Sequence, residues 1–253
     1  MSRTLTYFES GFASATALAE CGRYSEARRA LRGLRASADL EPAAARRLNT
    51  TAAEWAMRAG RFPEARKHWK RALRLAPNDA AGHFALGRAH EADPFGCDRT
   101  AVRRYRKAIQ LNANLPIYRA TLGRALVRVD NVRAGVKILC RAAEAAPSDP
   151  EVLEIVSEGL REAGQPEVAF RVMSHARFLA PDDRAIKKLW DRSRYSLTAA
   201  TQQAHRDNDE RTAARPSETP AVLPFLRISG SGNLIRQDQG SVRTAPMLRL
   251  RTD

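Results

Sequence analysis

The sequence predicts an all-α protein: a solenoid of antiparallel helix hairpins with a C-terminal capping helix and a largely disordered tail. The first observation is a period, because Pro77, Pro147 and Pro181 are separated by 70 and 34 residues. The second is composition, since 43% of the residues are hydrophobic but only 6% are aromatic. A core built from Ala, Leu and Val suits closely packed helices better than strands.

The same apolar pattern precedes each of these prolines. An alanine stands five residues before the proline, a large apolar residue three residues earlier, and a small residue four residues earlier again. The copies are Ala65, Trp69, Ala72; Gly135, Leu139, Ala142; and Ala169, Met173, Ala176, with a fourth, proline-free copy at Ala101, Tyr105, Ala108. A small residue lets two helices touch and the large one fills the gap beside it. One hairpin cannot bury its apolar face, but a stack of hairpins can.

Glycine and proline mark the ends of the predicted helices. Gly60 and Gly164 each separate two amphipathic runs of about a dozen residues, so they are expected where one helix ends and the next begins. The periodic prolines follow the second run of their units, because proline cannot continue a helix.

This pattern resembles the tetratricopeptide repeat, whose second helix reads Ala, three residues, Phe, two residues, Ala, and then Pro. Leu86-Gly87 with His90, and Leu122-Gly123 with Leu126, resemble the first helix of that family, although its Trp position is not kept. The resemblance implies a right-handed solenoid over residues 1–206, with units at 8–41, 46–79, 80–115, 116–149 and 150–183.

The C-terminal part of the chain differs from the repeats. Ile186, Leu189, Trp190 and Leu197 are separated by charged residues, which predicts an amphipathic capping helix over 184–206. From residue 207 onward the apolar residues are few and scattered. We therefore expect the tail, 207–253, to be disordered.

The net charge of +15 has two interpretations. It favours an anionic partner, such as nucleic acid or an acidic protein. The excess of Arg over Lys is equally typical of coding bias in a GC-rich genome, and the sequence leaves the two interpretations open.

Three separate cysteines, Cys21, Cys97 and Cys140, predict buried free thiols and a cytoplasmic location. The sequence has no run of 18 apolar residues, so it predicts no helix that spans a membrane. We expect a monomer or a weak homo-oligomer.

The sequence contains none of the common catalytic motifs, so we predict a protein that is not an enzyme and needs no cofactor. His83, His90 and Cys97 have a spacing that resembles a metal site. The two histidines would lie about 10.5 Å apart along one helix, too far to bind a single ion. We therefore predict no metal site.

The resemblance also implies a binding surface. In tetratricopeptide proteins the first helix of each unit lines a concave groove, mainly through positions 2, 5, 9, 12 and 13. Carried over, these positions predict partner-binding residues at Arg47, Met57, Arg58, Phe84, Arg88, Arg124, Arg128, Glu151, Glu154 and Glu158. The groove would be basic in the middle and acidic at its C-terminal end. The predicted function is a non-catalytic scaffold that holds a segment of a partner protein; ordinary solvated charges are the alternative interpretation.

A second basic cluster lies on the second helices of two units. Its members are Arg66, Lys67, Lys70, Arg71, Arg74, Arg103, Arg104, Arg106 and Lys107. This stripe is able to follow a phosphate backbone, or simply to keep the convex face soluble. The alternative function is therefore a nucleic-acid-associated protein that uses a basic convex surface.

Overall fold

The computed structural model describes residues 3–36 and 41–213, which form eleven helices and no strand. This confirms the predicted all-α class. The helices are α1 (Arg3–Glu20), α2 (Tyr24–Ala36), α3 (Pro42–Arg58), α4 (Phe62–Leu75), α5 (Ala80–Glu91), α6 (Asp98–Leu111), α7 (Pro116–Arg128), α8 (Val132–Ala145), α9 (Pro150–Glu162), α10 (Pro166–Leu179) and α11 (Arg184–Ala213).

Consecutive helices pair into five hairpins, α1–α2, α3–α4, α5–α6, α7–α8 and α9–α10. Each hairpin also contacts the next one, because α4 packs on α5, α6 on α7 and α8 on α9. The apolar residues of α11 complete the stack. Its Ile186 and Leu189 are buried in the same cluster as Met173 of α10.

In four of the five hairpins, the turn between the two helices contains a residue with positive φ at an equivalent position. Gly22, Gly60 and Gly164 have positive φ angles of 75°, 68° and 68°. Asp130 occupies the corresponding place in the fourth hairpin with a φ of 67°, and it is the only non-glycine with positive φ in the part of the chain that the structure describes. A residue with a Cβ is strained in this conformation, so three of the four turns use glycine.

The repeated apolar residues form the core. Trp69, Tyr105, Leu139 and Met173, the four large residues of the pattern, are all buried. The first helices carry glycine opposite two of these large side chains, because the two helices of a hairpin nearly touch. A Cβ built on Gly87 would lie 2.5 Å from Cε1 of Tyr105, and one on Gly123 would lie 2.8 Å from Cγ of Leu139.

Several helix boundaries differ from those expected. The first helix begins at Arg3 and not at residue 8, and α3 begins at Pro42 and not at 46, with proline in its first turn, where no amide donor is needed. The capping helix continues to Ala213, seven residues beyond the predicted end at 206. The Gln203 amide donates to the Asp207 carboxylate one turn later at 2.7 Å, a contact that supports helix across the predicted boundary. The remainder of the expected tail, 214–253, lies outside the described residues.

The cysteines also differ from expectation. All three are free thiols, but Cys21 and Cys97 are exposed and Cys140 is half-buried. Cys21 and Cys97 lie next to helix ends, and Cys140 lies within α8 at the edge of the core, so none of them contributes a fully buried core side chain.

Candidate partner-binding groove

The first helices of three hairpins, α5, α7 and α9, line a concavity of about 340 Å³. It contains apolar, acidic and basic side chains. The lining residues are Phe84, Arg88, Glu91, Ile117, Thr121, Arg124, Glu151, Glu154, Ile155 and Glu158. We call this concavity the groove.

The groove brings together six of the ten predicted partner-binding residues. These are Phe84, Arg88, Arg124, Glu151, Glu154 and Glu158. The other four lie elsewhere. Arg47 pairs with Glu9 at 2.9 Å, and its guanidinium lies 4.3 Å from the centre of the Phe12 ring.

The last three predicted residues are separate from the groove in different ways. Met57 is half-buried against the core of the α3–α4 hairpin. Arg58 is exposed at the end of α3. Arg128 is at the rim of α7 and pairs with Glu91 at 3.2 Å.

A network of ion pairs crosses the middle of the groove. The side chain of Glu91 is only 7% exposed and accepts hydrogen bonds from the Tyr105 hydroxyl at 2.5 Å and from Arg124 at 3.1 Å. Arg124 also pairs with Glu158 at 3.0 Å. The positive charge expected in the middle of the groove is therefore largely neutralised, because Arg124 and Arg128 both form ion pairs with Glu91.

Burial and the ion-pair network shift the pKa values of two of its residues, Arg124 and Tyr105. Burial alone would lower the pKa of Arg124, but Glu91 and Glu158 outweigh burial and raise that pKa. Burial raises the pKa of Tyr105 above its ordinary value, and the neighbouring Glu91 raises it further. Arg124 is therefore charged and Tyr105 is a neutral hydrogen-bond donor at neutral pH.

The floor of the groove is apolar. The ring of Phe84 stacks on Tyr118 with centroids 4.4 Å apart, and it contacts Tyr105 at 5.5 Å. Ile117 and Ile155 are half-buried beside it. This floor offers a partner an aromatic and aliphatic surface held in place by the core.

The rim carries charges that are available for a partner. Within the residues that the structure describes, neither Arg88 nor Glu151 forms an ion pair, and both are exposed. Glu154 makes one loose contact with Arg192, at 3.8 Å, and its side chain is half-exposed. The groove can therefore bind an apolar side chain on its floor, cations at its α9 edge and an anion at Arg88.

Four lining residues were absent from the prediction: Glu91, Ile117, Thr121 and Ile155. Glu91 is the twelfth residue of its unit and Ile117 the second residue of the next, which are groove positions by the family pattern. That signal was available in the sequence. Thr121 and Ile155 occupy the sixth position of their units, which the family pattern does not include.

The described residues show no arrangement suited to a metal ion: no group of three or more His, Cys, Asp or Glu side chains converges there. His83 of α5 donates its Nε2 proton to the Pro77 carbonyl at 2.9 Å. None of the described helices is long and apolar enough to cross a membrane.

Comparison with known proteins agrees with this geometry. A family model described as TPR repeat matches residues 57–93, which include α4 and α5. No curated protein matches the chain significantly. A thermophilic TPR protein of Thermus thermophilus is similar in structure, with a TM-score of 0.52 and 18% identity over 76% of this chain and 99% of that one.

Two further solved structures are similar. The TPR protein YrrB, whose structure is described as having an unusual peptide-binding site, has a TM-score of 0.51 and 15% identity over 74% of this chain and 97% of its own. A mutant of the Thermobaculum terrenum O-GlcNAc transferase has a TM-score of 0.47 and 23% identity over 55% of this chain. This chain spans 27% of the length of that transferase.

The stacked hairpins and their groove define a helical repeat solenoid with a concave surface. More specifically, residues 57–93 match the TPR repeat model, and the described hairpins share the fold of solved TPR proteins.

Proposed function

We propose that this protein is a non-catalytic scaffold that holds a segment of a partner protein in the groove of α5, α7 and α9. The observation that carries the proposal is the combination of a fixed apolar floor with two rim charges, Arg88 and Glu151, that form no ion pair within the described residues. Tetratricopeptide repeats as a class bind protein or peptide partners, which agrees with this use of the groove.

The lining residues indicate what the segment contains. An apolar side chain of the partner packs on Phe84, and Lys or Arg side chains pair with Glu151 and Glu154. An acidic group or a C-terminal carboxylate pairs with Arg88. The segment is thus a short amphipathic peptide with a basic half, and its backbone is extended or helical. Buried aromatic anchors with charges at the rim are the usual arrangement of such interfaces.

The ion-pair network holds the groove in shape. Glu91 and Arg124 come from adjacent units, and Glu158 from the unit after them. Their pairing fixes α5, α7 and α9 relative to one another before a partner arrives. A pre-organised site binds with a smaller loss of conformational entropy.

We also infer a cytoplasmic location and a monomeric or weakly associating state. The exposed free thiols of Cys21 and Cys97 support a reducing compartment, because exposed cysteines of secreted proteins are usually oxidised. Gel filtration with light scattering at two concentrations tests the oligomeric state.

A selection from a random peptide library tests the proposed function. The full-length chain should enrich peptides that place an apolar residue beside Lys or Arg. The double variant Glu151→Arg, Glu154→Arg should lose that enrichment. The matched control is Glu144→Arg, Glu167→Arg, which makes the same charge change at exposed sites on α8 and α10. Equal enrichment by the two variants would contradict a role of the groove.

A further inference from the structure

A second concavity lies on the side of the second helices, between α4 and α6 and above α5. Its volume is about 610 Å³. The lining residues are Lys67, Lys70, Arg71, Leu73, Arg74, Pro77, His83, Leu86 and Arg104. We call it the basic notch. Its lining, among the residues that the structure describes, has five cations and no acidic side chain.

The cations of the basic notch are unpaired. None of the five forms an ion pair with a carboxylate among residues 3–36 and 41–213, whereas neighbouring Arg66 pairs with Asp93. Burial lowers the pKa of Arg71, and the like charges of Arg35 and Arg74 lower it further. The fold therefore keeps several positive charges close together without compensating them, an arrangement that an anion would stabilise.

The cations follow one face of α4. Lys67, Lys70, Arg71 and Arg74 have the spacing i, i+3, i+4, i+7, so they project to the same side of the helix. They extend over about 10.5 Å, a length along which one strand of a duplex presents about three phosphates. Arg104 adds a fifth charge from α6.

An equivalent notch in the same molecule shows that the fold does not require this charge. The concavity between α8 and α10 lies seventy positions further along the chain, and its Pro147 corresponds to Pro77 of the basic notch. There Cys140 replaces Lys70, Glu144 replaces Arg74, and Val172 takes the place of Arg104. Lys137 and Arg141 keep the charges of Lys67 and Arg71 but do not line this concavity, whose one Arg or Lys is Arg171, in the same lining as Glu144. A uniform coding bias toward Arg would make both notches basic, and it would not favour the two lysines.

The positive surface continues toward the N-terminus. A small concavity between α2 and α4 is lined by Arg28, Arg32, Arg35 and His68, together with Leu31, Leu48 and Ala52. Arg28 pairs with Glu64 of α4, so Arg32 and Arg35 carry the remaining charge. A polyanion longer than one notch can therefore contact α2, α4 and α6 in succession.

We infer that the basic notch binds the phosphate backbone of double-stranded nucleic acid. This site is distinct from the groove and does not depend on the proposed function. A duplex fits better than a single strand, because single-strand sites need aromatic side chains on which bases stack. The aromatic residues of α4 and α6 nearest the cations, Trp69 and Tyr105, are buried in the core. The contacts reach phosphates only, so binding is independent of base sequence.

Fluorescence anisotropy with a labelled 20-base-pair DNA duplex and the full-length chain tests the inference. We expect a Kd of about 1 μM or below near 0.15 M salt, at or beyond the tight end of ordinary non-specific binding. The triple variant Lys70→Gln, Arg71→Gln, Arg74→Gln should bind at least about ten times more weakly. Its slope of log affinity against log salt should be smaller by about 2 to 3, since each lost phosphate contact removes about 0.9.

The matched control is Arg133→Gln, Lys137→Gln, Arg141→Gln on α8, which removes the same net charge from exposed positions. It should bind within about two-fold of wild type. Equal weakening of the two triple variants would overturn the inference, because general electrostatics would then be sufficient. Tighter binding of a single strand, or of polyglutamate, than of the duplex would overturn it as well.

A second measurement uses the wild-type chain and does not depend on how the variants fold. Lysine acetylation followed by mass spectrometry reports which ammonium groups the duplex covers. We expect the duplex to protect Lys67 and Lys70 and to leave Lys137 of α8 reactive. Equal protection of all three lysines, or of none, would contradict a site at the basic notch.

Discussion

The guanidinium of Arg124 lies 3.1 Å from the carboxylate of Glu91, although the two side chains belong to successive repeat units. Both are largely buried, with 24% of the Arg124 side chain and 7% of the Glu91 side chain exposed. The Tyr105 hydroxyl and Arg128 also bind Glu91, so this carboxylate has three partners. Two of them, Arg124 and Arg128, belong to the next hairpin, and the carboxylate therefore connects the two hairpins. The same atoms form one wall of the groove, so stability and binding are connected there.

Replacing Arg124 by Ala should destabilise the protein by about 1–3 kcal/mol. The substitution leaves Glu91 buried with fewer donors, and Arg128 and Tyr105 compensate only in part. Chemical unfolding followed by circular dichroism measures the change. Arg58→Ala is the control, since Arg58 is exposed and has no described partner, and it should shift the free energy of unfolding by less than about 0.5 kcal/mol. Equal effects of the two substitutions would mean that the network is not stabilising.

Truncating Trp69 should be among the most damaging substitutions in the chain. Trp69 is 6% exposed and packs in a cluster with Ala53 and Leu86 of the two adjacent first helices. We expect Trp69→Ala to cost about 3–5 kcal/mol, the range for removing a buried Trp. Trp69→Phe should cost less, because the indole nitrogen has no hydrogen-bond partner within the described residues. A loss below about 1 kcal/mol for Trp69→Ala would show that the repeat register is wrong.

The four hairpin turns allow a paired test of backbone strain. Asp130 has a φ of 67° where the equivalent Gly60 has 68°. Asp130→Gly should therefore stabilise the protein, by up to about 1 kcal/mol, since it relieves a left-handed non-glycine residue. Gly60→Ala should destabilise it by a similar or larger amount, and chemical unfolding measures both changes. A destabilising Asp130→Gly would indicate that the aspartate side chain contributes more than its strain costs.

The stability of the protein should depend on His90 in mildly acidic solution. Burial and the charges of Arg66, Lys70 and Arg104 lower the pKa of His90 to about 4 from an ordinary 6.5, while Asp93 opposes them. Between these values the unfolded chain binds more protons than the folded one, so stability falls as the pH drops from about 6.5 toward 4. The variant His90→Gln lacks this loss and should retain more of its stability between pH 7 and pH 5 than wild type does. Parallel pH profiles of the two proteins would contradict the shifted pKa.

The repeated elements could be predicted from sequence because their signals are local. The period of the prolines and the spacing of Trp69 and its equivalents specify which side chains enter the core, and the structure buries all four. Gly60 and Gly164 marked two turns for the same reason. Asp130 was not recognised as a turn residue, because aspartate with positive φ has no distinct local pattern.

The groove was predicted less completely because its contacts cross between units. Arg124 reaches Glu91 and Glu158, which lie 33 and 34 residues away in sequence. Charge patterns along a single helix cannot show that these groups neutralise one another. The end of α11 was misplaced for a different reason. Low hydropathy after residue 206 indicates an absence of core residues, but an exposed helix also has few of them.

The affinity of a groove-selected peptide for two charge-reversed variants tests the central claim most directly. A labelled apolar–basic peptide from the selection is titrated with wild type, with Glu151→Arg, Glu154→Arg, and with Glu144→Arg, Glu167→Arg, with an unlabelled DNA duplex present or absent. We predict that the groove variant weakens peptide binding at least about ten-fold, that the control stays within about two-fold, and that the duplex does not compete. Equal affinities of the two variants for the peptide would contradict the assignment of the groove as the partner-binding site.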